Sequence, residues 1–301
     1  MKNNVVRSPL FYVGDKYKLI NEIKQYFPDK INKFVEPFVG GGSVFMNVEA
    51  SEFWLNDIDV DIISIHKMLC CFADRTDEFY QRVDKVVEHY GLSCSYKKDI
   101  VPDALKREFV KTFYARFNKQ GYEQMRSDYN QSSDRDVFML YMLLIYGFNR
   151  MVRFNKSGNF NIPVGNVDLN QNTIKALEDY FRLVKSKKIT WYNLDFEDFI
   201  AKMDLKSDDL IYLDPPYLIT FSEYNKLWDN ETESRLLNML DTLNINNIRF
   251  AISNVTHYKG KINQQFLDWS QKYNSHSIKS NYISYHDNTN KIFSEVLITN
   301  Y

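Results

Sequence analysis

The sequence is poor in the residues that staple small secreted domains and hold metals. Only three of 301 residues are cysteine: Cys70, Cys71 and Cys94. An odd count with no Cys-x-x-Cys spacing argues against a disulfide framework and against a zinc site. The five histidines (His66, His89, His257, His276, His286) are scattered and outline no metal cluster, so no metal is expected. A reducing, cytoplasmic compartment is the expectation. Neither sign of charge dominates: 38 basic residues face 39 acidic ones, for a net charge of −1. Whole-chain charge therefore neither supports nor excludes nucleic acid, and only local patches speak to it. Long apolar runs are missing too. The longest extends only from Val137 to Phe148, with Gly147 inside, against the roughly 20 residues of a membrane span. The opening stretch MKNNVVRSPL has no apolar core of signal-peptide length, so no export is expected. There are no repeats and no low-complexity segments.

Aromatic residues are abundant. The chain has 22 Phe and 21 Tyr, which rules out disorder as the dominant state. With 44% hydrophobic and 26% charged residues its composition is that of a globular protein. Its length fits one large domain or two smaller ones.

The first sixty residues read as strand, glycine turn, helix, strand. Lys33 to Glu36 is a short strand running into Pro37-Phe38-Val39-Gly40-Gly41-Gly42-Ser43. Val44 to Ala50 reads as helix, and Phe53 to Ile58 as a second strand ending in acids. This is the opening of a doubly wound, mostly parallel α/β sheet of Rossmann-like type. From about His66 to Asp179 the periodicity is helical. Asp103 to Gln120 places Leu105, Phe109, Phe113 and Phe117 at helical spacing, and Asp136 to Tyr146 is a strongly apolar helix. Asn149 to Pro163 reads as a polar, basic β-hairpin turning at Ser-Gly. Strand rhythm returns at Ile189 to Leu194, Leu210 to Leu213, Ile248 to Ser253 and Glu295 to Thr299, with an amphipathic helix over Glu231 to Leu243. The simplest architecture is one sheet domain, residues 1–66 and 175–301, interrupted by a mainly helical domain over 67–174 that carries the hairpin.

Two motifs carry chemistry. Gly40, Gly41 and Gly42 allow a sharp turn and close approach of backbone to a ligand, and Asp57 at the tip of the next strand can accept both hydroxyls of a ribose. The bland alternative is a tight turn. Neither GxGxxG nor GxxxxGK[ST] is present, so the ligand class is a ribose- and adenine-containing molecule without a phosphate grip. S-adenosylmethionine is the obvious member. The second motif, Asp214-Pro215-Pro216-Tyr217, closes the strand Leu210 to Leu213. A strand-terminating turn is the bland reading there. The chemical reading starts from an exocyclic amino group on a nucleobase, a poor nucleophile because its lone pair is delocalised into the ring. Two acceptors holding both N–H bonds push the nitrogen toward tetrahedral geometry. Asp214 supplies one and the carbonyl of Pro215 the other, held rigidly by the prolines, while Tyr217 can stack on the base.

With these residues the sequence resembles the Dam-type DNA adenine-N6 methyltransferases, the D12 class or alpha group, over most of its length and in the same order. Pro9 to Lys16 (PLFYVGDK) resembles the family's N-terminal segment, although position 15 is Asp where members often carry Gly. Glu36 to Asn47 (EPFVGGGSVFMN) resembles the cofactor loop, Asn56 to Asp59 the ribose-binding strand end, Tyr146 to Gly165 the target-recognition segment, and Asp214 to Tyr217 the catalytic tetrapeptide. The resemblance implies roles for particular residues. Tyr12 and Lys16 would contact the methionine part of S-adenosylmethionine, Glu36, Phe38, Gly40 and Gly42 would shape the cofactor loop, and Asp57 would bind the ribose. Asp195 and Phe196 would hold the adenine, although Asp195 can equally cap a helix beginning near Glu197. Asp214 would touch both cofactor and target base. Phe148 and Asn149 would act at a flipped adenine, Arg153 would read a neighbouring base, and Arg150, Asn155 and Lys156 would contact DNA.

The recognition segment has support of its own. Arg150, Arg153 and Lys156 alternate with Phe148, Phe154 and Phe160 without an acid between them, which suits phosphate contact plus a wedge; a solvated loop is the alternative. Lys106, Arg107, Lys111, Arg116 and Lys119 form either a phosphate-facing stripe or an ordinary solvated helix face. Leu218 to Asn230, with Phe221, Tyr224 and Trp228, is expected to order over a flipped base. The partner implied is double-stranded DNA with no obligate protein partner, the chain serving alone or beside a cognate restriction endonuclease, and GATC is the expected target. The alternatives are the same chemistry on RNA, cytosine N4 or a protein amide, a catalytically silent DNA-binding regulator, and a nicotinamide oxidoreductase, against which the missing third glycine argues.

Overall fold

A computed structural model of the chain describes residues 5–98, 100–220, 228–278 and 293–301. The strands are β1 (Lys33–Glu36), β2 (Glu52–Asn56), β3 (Ile189–Tyr192), β4 (Leu210–Leu213), β5 (Arg249–Tyr258), β6 (Lys261–Ile262), β7 (Asn274–Ile278) and β8 (Phe293–Thr299). Among the described residues they form one sheet in the order β3-β2-β1-β4-β5-β8-β7, with β6 paired to the end of β5. Strands β1 to β5 run parallel, and β8 lies antiparallel between β5 and β7. The α/β, mostly parallel sheet expected from the sequence is present.

Parallel strands are buried on both faces, so successive side chains feed two different cores. Phe34, Leu210, Tyr212 and Ala251 enter one cluster, while Val35, Ile211, Leu213, Phe250 and Ile252 enter the other. The helices are α1 (Ile20–Lys24), α2 (Val60–Phe72), α3 (Thr76–Tyr90), α4 (Asp103–Glu108), α5 (Phe113–Gln131), α6 (Val137–Tyr146), α7 (Gln171–Ser186), α8 (Phe196–Ala201), α9 (Asn230–Ile245) and α10 (Gln264–Ser270). Residues of α1, α2, α3, α5, α6 and α7 share the first cluster with the sheet; those of α8, α9 and α10 share the second. Helix α6 is apolar on every side and is capped by Asp136, whose carboxylate accepts the Phe138 N–H at 3.0 Å. The helical section between β2 and β3 thus shares a continuous core with one face of the sheet.

The sheet topology brings the two motifs together. Strands β1 and β4 are neighbours, and the order runs outward from them in opposite directions. Their carboxyl ends bound a crevice, the place where open α/β sheets hold ligands. The glycine turn leaves β1 and Asp214 leaves β4, so both motifs face that crevice.

Several local expectations are corrected. Val44 to Ala50 is not a helix but one 3-10 turn, Phe45–Asn47, followed by extended backbone at Val48. Asn47 spends its side chain elsewhere: it accepts from the Val6 N–H and donates to the Val6 and Ser43 carbonyls, each at 2.8 Å. Such bonds compete with helix propagation. The helix expected over Asp103 to Gln120 breaks between Glu108 and Phe113. Its Leu/Phe stripe is only half-buried, and α5 turns Asn118, Tyr122, Met125 and Tyr129 inward instead. The hairpin over Asn149 to Pro163, by contrast, is present in irregular form: Phe154 bridges Phe160, the Asn161 N–H donates to the Arg153 carbonyl at 3.1 Å and the Asn155 N–H to the Asn159 carbonyl at 2.8 Å, and Asn130 holds both backbone groups of Phe160. The second strand ends at Asn56 and the third at Tyr192, two residues earlier than expected in each case.

Candidate active site

Asn56 locks the crevice edge. Its amide donates to the Pro37 and Leu194 carbonyls, both at 3.0 Å, and accepts from the Leu194 N–H at 2.9 Å. The glycine turn is fixed from several sides. Asp57 Oδ2 accepts the Gly40 N–H at 2.8 Å and its Oδ1 the Asp59 N–H at 3.0 Å. A carboxylate has about four lone-pair directions, so Asp57 keeps acceptor capacity for a ligand. Burial pushes its acid up to about 6. Ser8 donates to the Gly41 carbonyl. Tyr12 packs so closely that a Cβ on Gly41 would stand 2.6 Å from the Tyr12 Cβ.

His66 backs the turn and was not singled out by the sequence. It is fully buried, stacks on Trp191, and joins the Gly40 carbonyl at 2.9 Å to the Tyr180 hydroxyl at 3.0 Å. Burial lowers its pKa to about 4, so the ring is neutral at pH 7. It then donates from Nε2 to the carbonyl and accepts from the hydroxyl at Nδ1.

The second motif forms a charged cluster. Lys16 is 3% exposed rather than a surface charge, and its Nζ lies 2.8 Å from Asp214 Oδ1. The Tyr217 hydroxyl donates to the same oxygen at 2.8 Å. Lys16 also sits 5.1 Å from the centroid of the Tyr217 ring. Burial and the Asp214 and Glu295 charges hold the Tyr217 phenol well above its usual range. Pro215 is buried and Pro216 half-buried behind this group. Asp15 accepts the Tyr17 N–H at 3.2 Å, and the left-handed residues of this segment are Phe11 and Gly14, so position 15 has no need of glycine.

Glu36, the last residue of β1, is 2% exposed, and its Oε2 has no hydrogen-bond partner. Burial first, and then the Asp214 and Asp57 charges, raise its pKa well above the carboxylate range. A buried carboxyl with one unpartnered oxygen, close to two further acids, leaves polar capacity for a ligand. Beside it, the rings of Phe38, Phe196 and Trp228 form an aromatic wall with centroids 5.5–6.0 Å apart. Trp228 donates to buried Glu233 at 2.6 Å, so it belongs to this wall. Asp195 caps α8 by accepting the Glu197 N–H at 2.9 Å, and it pairs with Arg235 at 2.8 Å. The capping alternative is therefore realised.

On the other side of the crevice, Phe148 is 51% exposed and Asn149 is exposed beside it. Asn149 and Arg150 both have left-handed backbones, φ 54° and 50°, a conformation that costs non-glycine residues free energy and concentrates at functional sites. Arg150 does not face outward as expected. It is 9% exposed, bonds Thr173 Oγ1 at 3.2 Å and stacks 3.8 Å from the Phe11 ring centroid. Its reading as an outward DNA contact is corrected: it supports the loop from within. Arg153 is half-buried, its Nε held by Asn161 at 2.8 Å. Asn155 is exposed but uses its carbonyl oxygen to accept the Ser157 and Asn159 N–H groups, which builds the turn; Lys156 is exposed at the tip. Tyr224 and Phe221 lie outside the described residues. Among the described residues no three His, Cys, Asp or Glu side chains are grouped to hold a metal, and no helix is long and apolar enough to cross a membrane.

Comparison with known families agrees with this arrangement of motifs. The model of the D12 class N6 adenine-specific DNA methyltransferases matches residues 12–284. The chain belongs to this family. It is similar to the type II methyltransferase M.FokI of Planomicrobium okeanokoites, 34% identical over 99% of this chain and 43% of that protein. It is similar to modification methylase StsI of Streptococcus sanguinis, 35% identical over 98% of this chain and 43% of that protein. Similarity to the DNA adenine methylase of Escherichia coli K12 is 33% over 72% of this chain and 66% of that protein. The chain thus spans less than half the length of the first two relatives. Within the D12 class frame the sequence missed His66, Glu233 and Glu295. The one visible signal was Glu295 set directly before the apolar run Val296 to Ile298 in a strand.

Proposed function

We propose that this chain transfers a methyl group from S-adenosylmethionine to N6 of an adenine in double-stranded DNA. The observation that carries the reading is the Asp214 carboxylate at the end of β4, beside the glycine turn, with Oδ1 already engaged by Lys16 and Tyr217. Its remaining acceptor capacity is available for an amino N–H. The Pro215 carbonyl would be the second acceptor, and the Tyr217 ring the stacking surface. Tyr12, Lys16, Glu36, Phe38, Gly40, Gly42, Asp57, Asp195 and Phe196 would hold the cofactor. When bound, the cofactor would supply a methyl on a cationic sulfonium; transfer would break the sulfur–methyl bond as the N6–methyl bond forms, with loss of one N6 proton. An adenine stacked in a duplex cannot reach this crevice, so the reading includes base flipping. Exposed Phe148 is the wedge, Asn149 meets the displaced base, and residues 67–174 form the recognition domain. Tyr224 is proposed to close over the base. Coverage of nearly the whole chain by M.FokI and StsI favours a role as the modification half of a restriction system in the cytoplasm. GATC is the target to which the resemblance of residues 146–165 points.

Incubation with S-adenosylmethionine and unmethylated DNA, followed by nucleoside mass spectrometry and site mapping, tests this. N6-methyladenine at one sequence is expected; methylcytosine alone, or no product on any DNA, sinks it. Arg153→Ala is expected to relax discrimination at one base pair by about 1–3 kcal/mol. Equal weakening on all sequences in a competition assay would make Arg153 a phosphate contact instead.

The acid of Asp57 at about 6 sets a pH dependence. Its pKa is raised, so below about 6 the group is a neutral acid and accepts ribose hydroxyls less well. Cofactor affinity is therefore expected to rise about tenfold from pH 5 to pH 7. Glu36 titrates nearby with its own raised pKa, so the decisive comparison is Asp57→Asn, which should flatten this slope in calorimetry. A wild-type slope unchanged in Asp57→Asn would remove Asp57 from ribose binding.

A further inference from the structure

Glu295 stands where a strand would ordinarily carry an apolar residue. It lies on β8, opposite Val255 of β5 and Ile278 of β7, and is 1% exposed. A carboxylate inside a sheet loses its hydration, and this is tolerated where charged donors meet it. Two donors do. Lys16 Nζ lies 3.6 Å from Glu295 Oε1, and the Tyr217 hydroxyl lies 3.3 Å from the same oxygen. Both donors also engage Asp214 Oδ1, each at 2.8 Å. The two carboxylates therefore share one ammonium and one hydroxyl, drawn from the N-terminal segment and from the tetrapeptide.

This sharing has a geometric consequence. The nearer acceptor for both donors is Asp214, and Glu295 is the second acceptor behind them. With an anion on either side, neither Lys16 nor the Tyr217 hydroxyl is able to follow Asp214 if its carboxylate rotates. Asp214 Oδ1 is held by Lys16 and Tyr217, and the other oxygen is the one these two donors do not engage. An apolar residue at position 295 would remove this second acceptor from both donors. Lys16 is the cation that meets both Asp214 and Glu295, and the arrangement is organised around it.

We propose that Glu295 is a positioning residue: through Lys16 and Tyr217 it fixes which oxygen of Asp214 meets the amino group. The inference rests on the methyltransferase reading above. Glu295→Gln, which keeps the shape and an acceptor but removes the charge, is compared with wild type on DNA containing the mapped target. The expected result is a kcat lowered about tenfold or more, as small misplacements in such sites produce. S-adenosylmethionine affinity by calorimetry and KM for DNA should stay within about threefold, a split that a merely structural role would not create. Tyr217→Phe, which keeps the ring and removes the shared hydroxyl, serves if Glu295→Gln does not fold, and the same split is expected. A folded variant of either kind with kcat within about twofold of wild type overturns the proposal while wild-type methylation stands. A wild type that makes no N6-methyladenine overturns the function reading and this inference with it.

Discussion

Asp214→Ala abolishes methyl transfer while cofactor and DNA remain bound: this is the largest effect expected in the molecule. On the proposed reading the carboxylate is the acceptor that localises the amino lone pair. Loss of a single group of this kind costs about 10²–10³-fold in kcat where it acts in a water-poor site. Here the loss is expected at or beyond the upper end, because Asp214 also partners Lys16 and Tyr217. Both donors lose their nearer acceptor, and Lys16 retains Glu295 at 3.6 Å. Binding is expected to persist because the glycine turn, Asp57 and the aromatic wall of Phe38, Phe196 and Trp228 are held by other contacts. Single-turnover methylation, gel-shift and calorimetry measured together check this. A variant within about tenfold of the wild-type rate would end the assignment of Asp214 as the amino acceptor.

The second large effect is on stability and cofactor binding together. Gly42 has φ +80°, and a Cβ there would clash with Phe45 Cε1 and stand 3.1 Å from His66 Cε1. Neither neighbour is at the loose end of a flexible side chain. The Phe45 ring is buried against Phe53, Tyr180 and Trp191, and His66 is tied to the Gly40 carbonyl and the Tyr180 hydroxyl. The left-handed backbone costs an L-residue about 1–2 kcal/mol, and the overpacking about 1–3 kcal/mol more. Gly42→Ala is therefore expected to lose about 2–5 kcal/mol of unfolding free energy. It should also weaken S-adenosylmethionine binding, because the turn must shift to make room. Denaturant unfolding and calorimetry read both. Wild-type stability in Gly42→Ala would mean that Phe45 and His66 yield at no cost, which their contacts argue against.

Much of the crevice was legible because its parts are local. Three consecutive glycines after a strand and Asp-Pro-Pro-Tyr after another are backbone statements, and each is where the sequence placed it. The central strands were legible because burial on both faces demands unbroken apolar runs, as in Leu210 to Leu213. Strand β7 was not legible. Its residues Asn274 to Ile278 lie at the sheet edge and bury only Ile278, so they carry no apolar rhythm. The 3-10 turn at Phe45–Asn47 was misread as helix because the composition of Val44 to Ala50 is neutral, whereas the bonds from Asn47 to Val6 join segments forty-one positions apart.

Charge was the hardest property to read. Lys16 and Arg150 look like surface cations in a string of letters, yet both are buried. Each is drawn inward by partners distant in sequence: Asp214 and Glu295 for Lys16, Phe11 and Thr173 for Arg150. The sequence by itself determined the sheet type, the two loops that bound the crevice and the family, because these depend on short-range residue order. Tertiary structure alone decided that Glu295 shares donors with Asp214, that His66 supports the glycine turn and that Arg150 lies beneath the loop at Phe148 and Asn149. Those pairings depend on strand order and on desolvation, and neither is encoded in neighbouring residues.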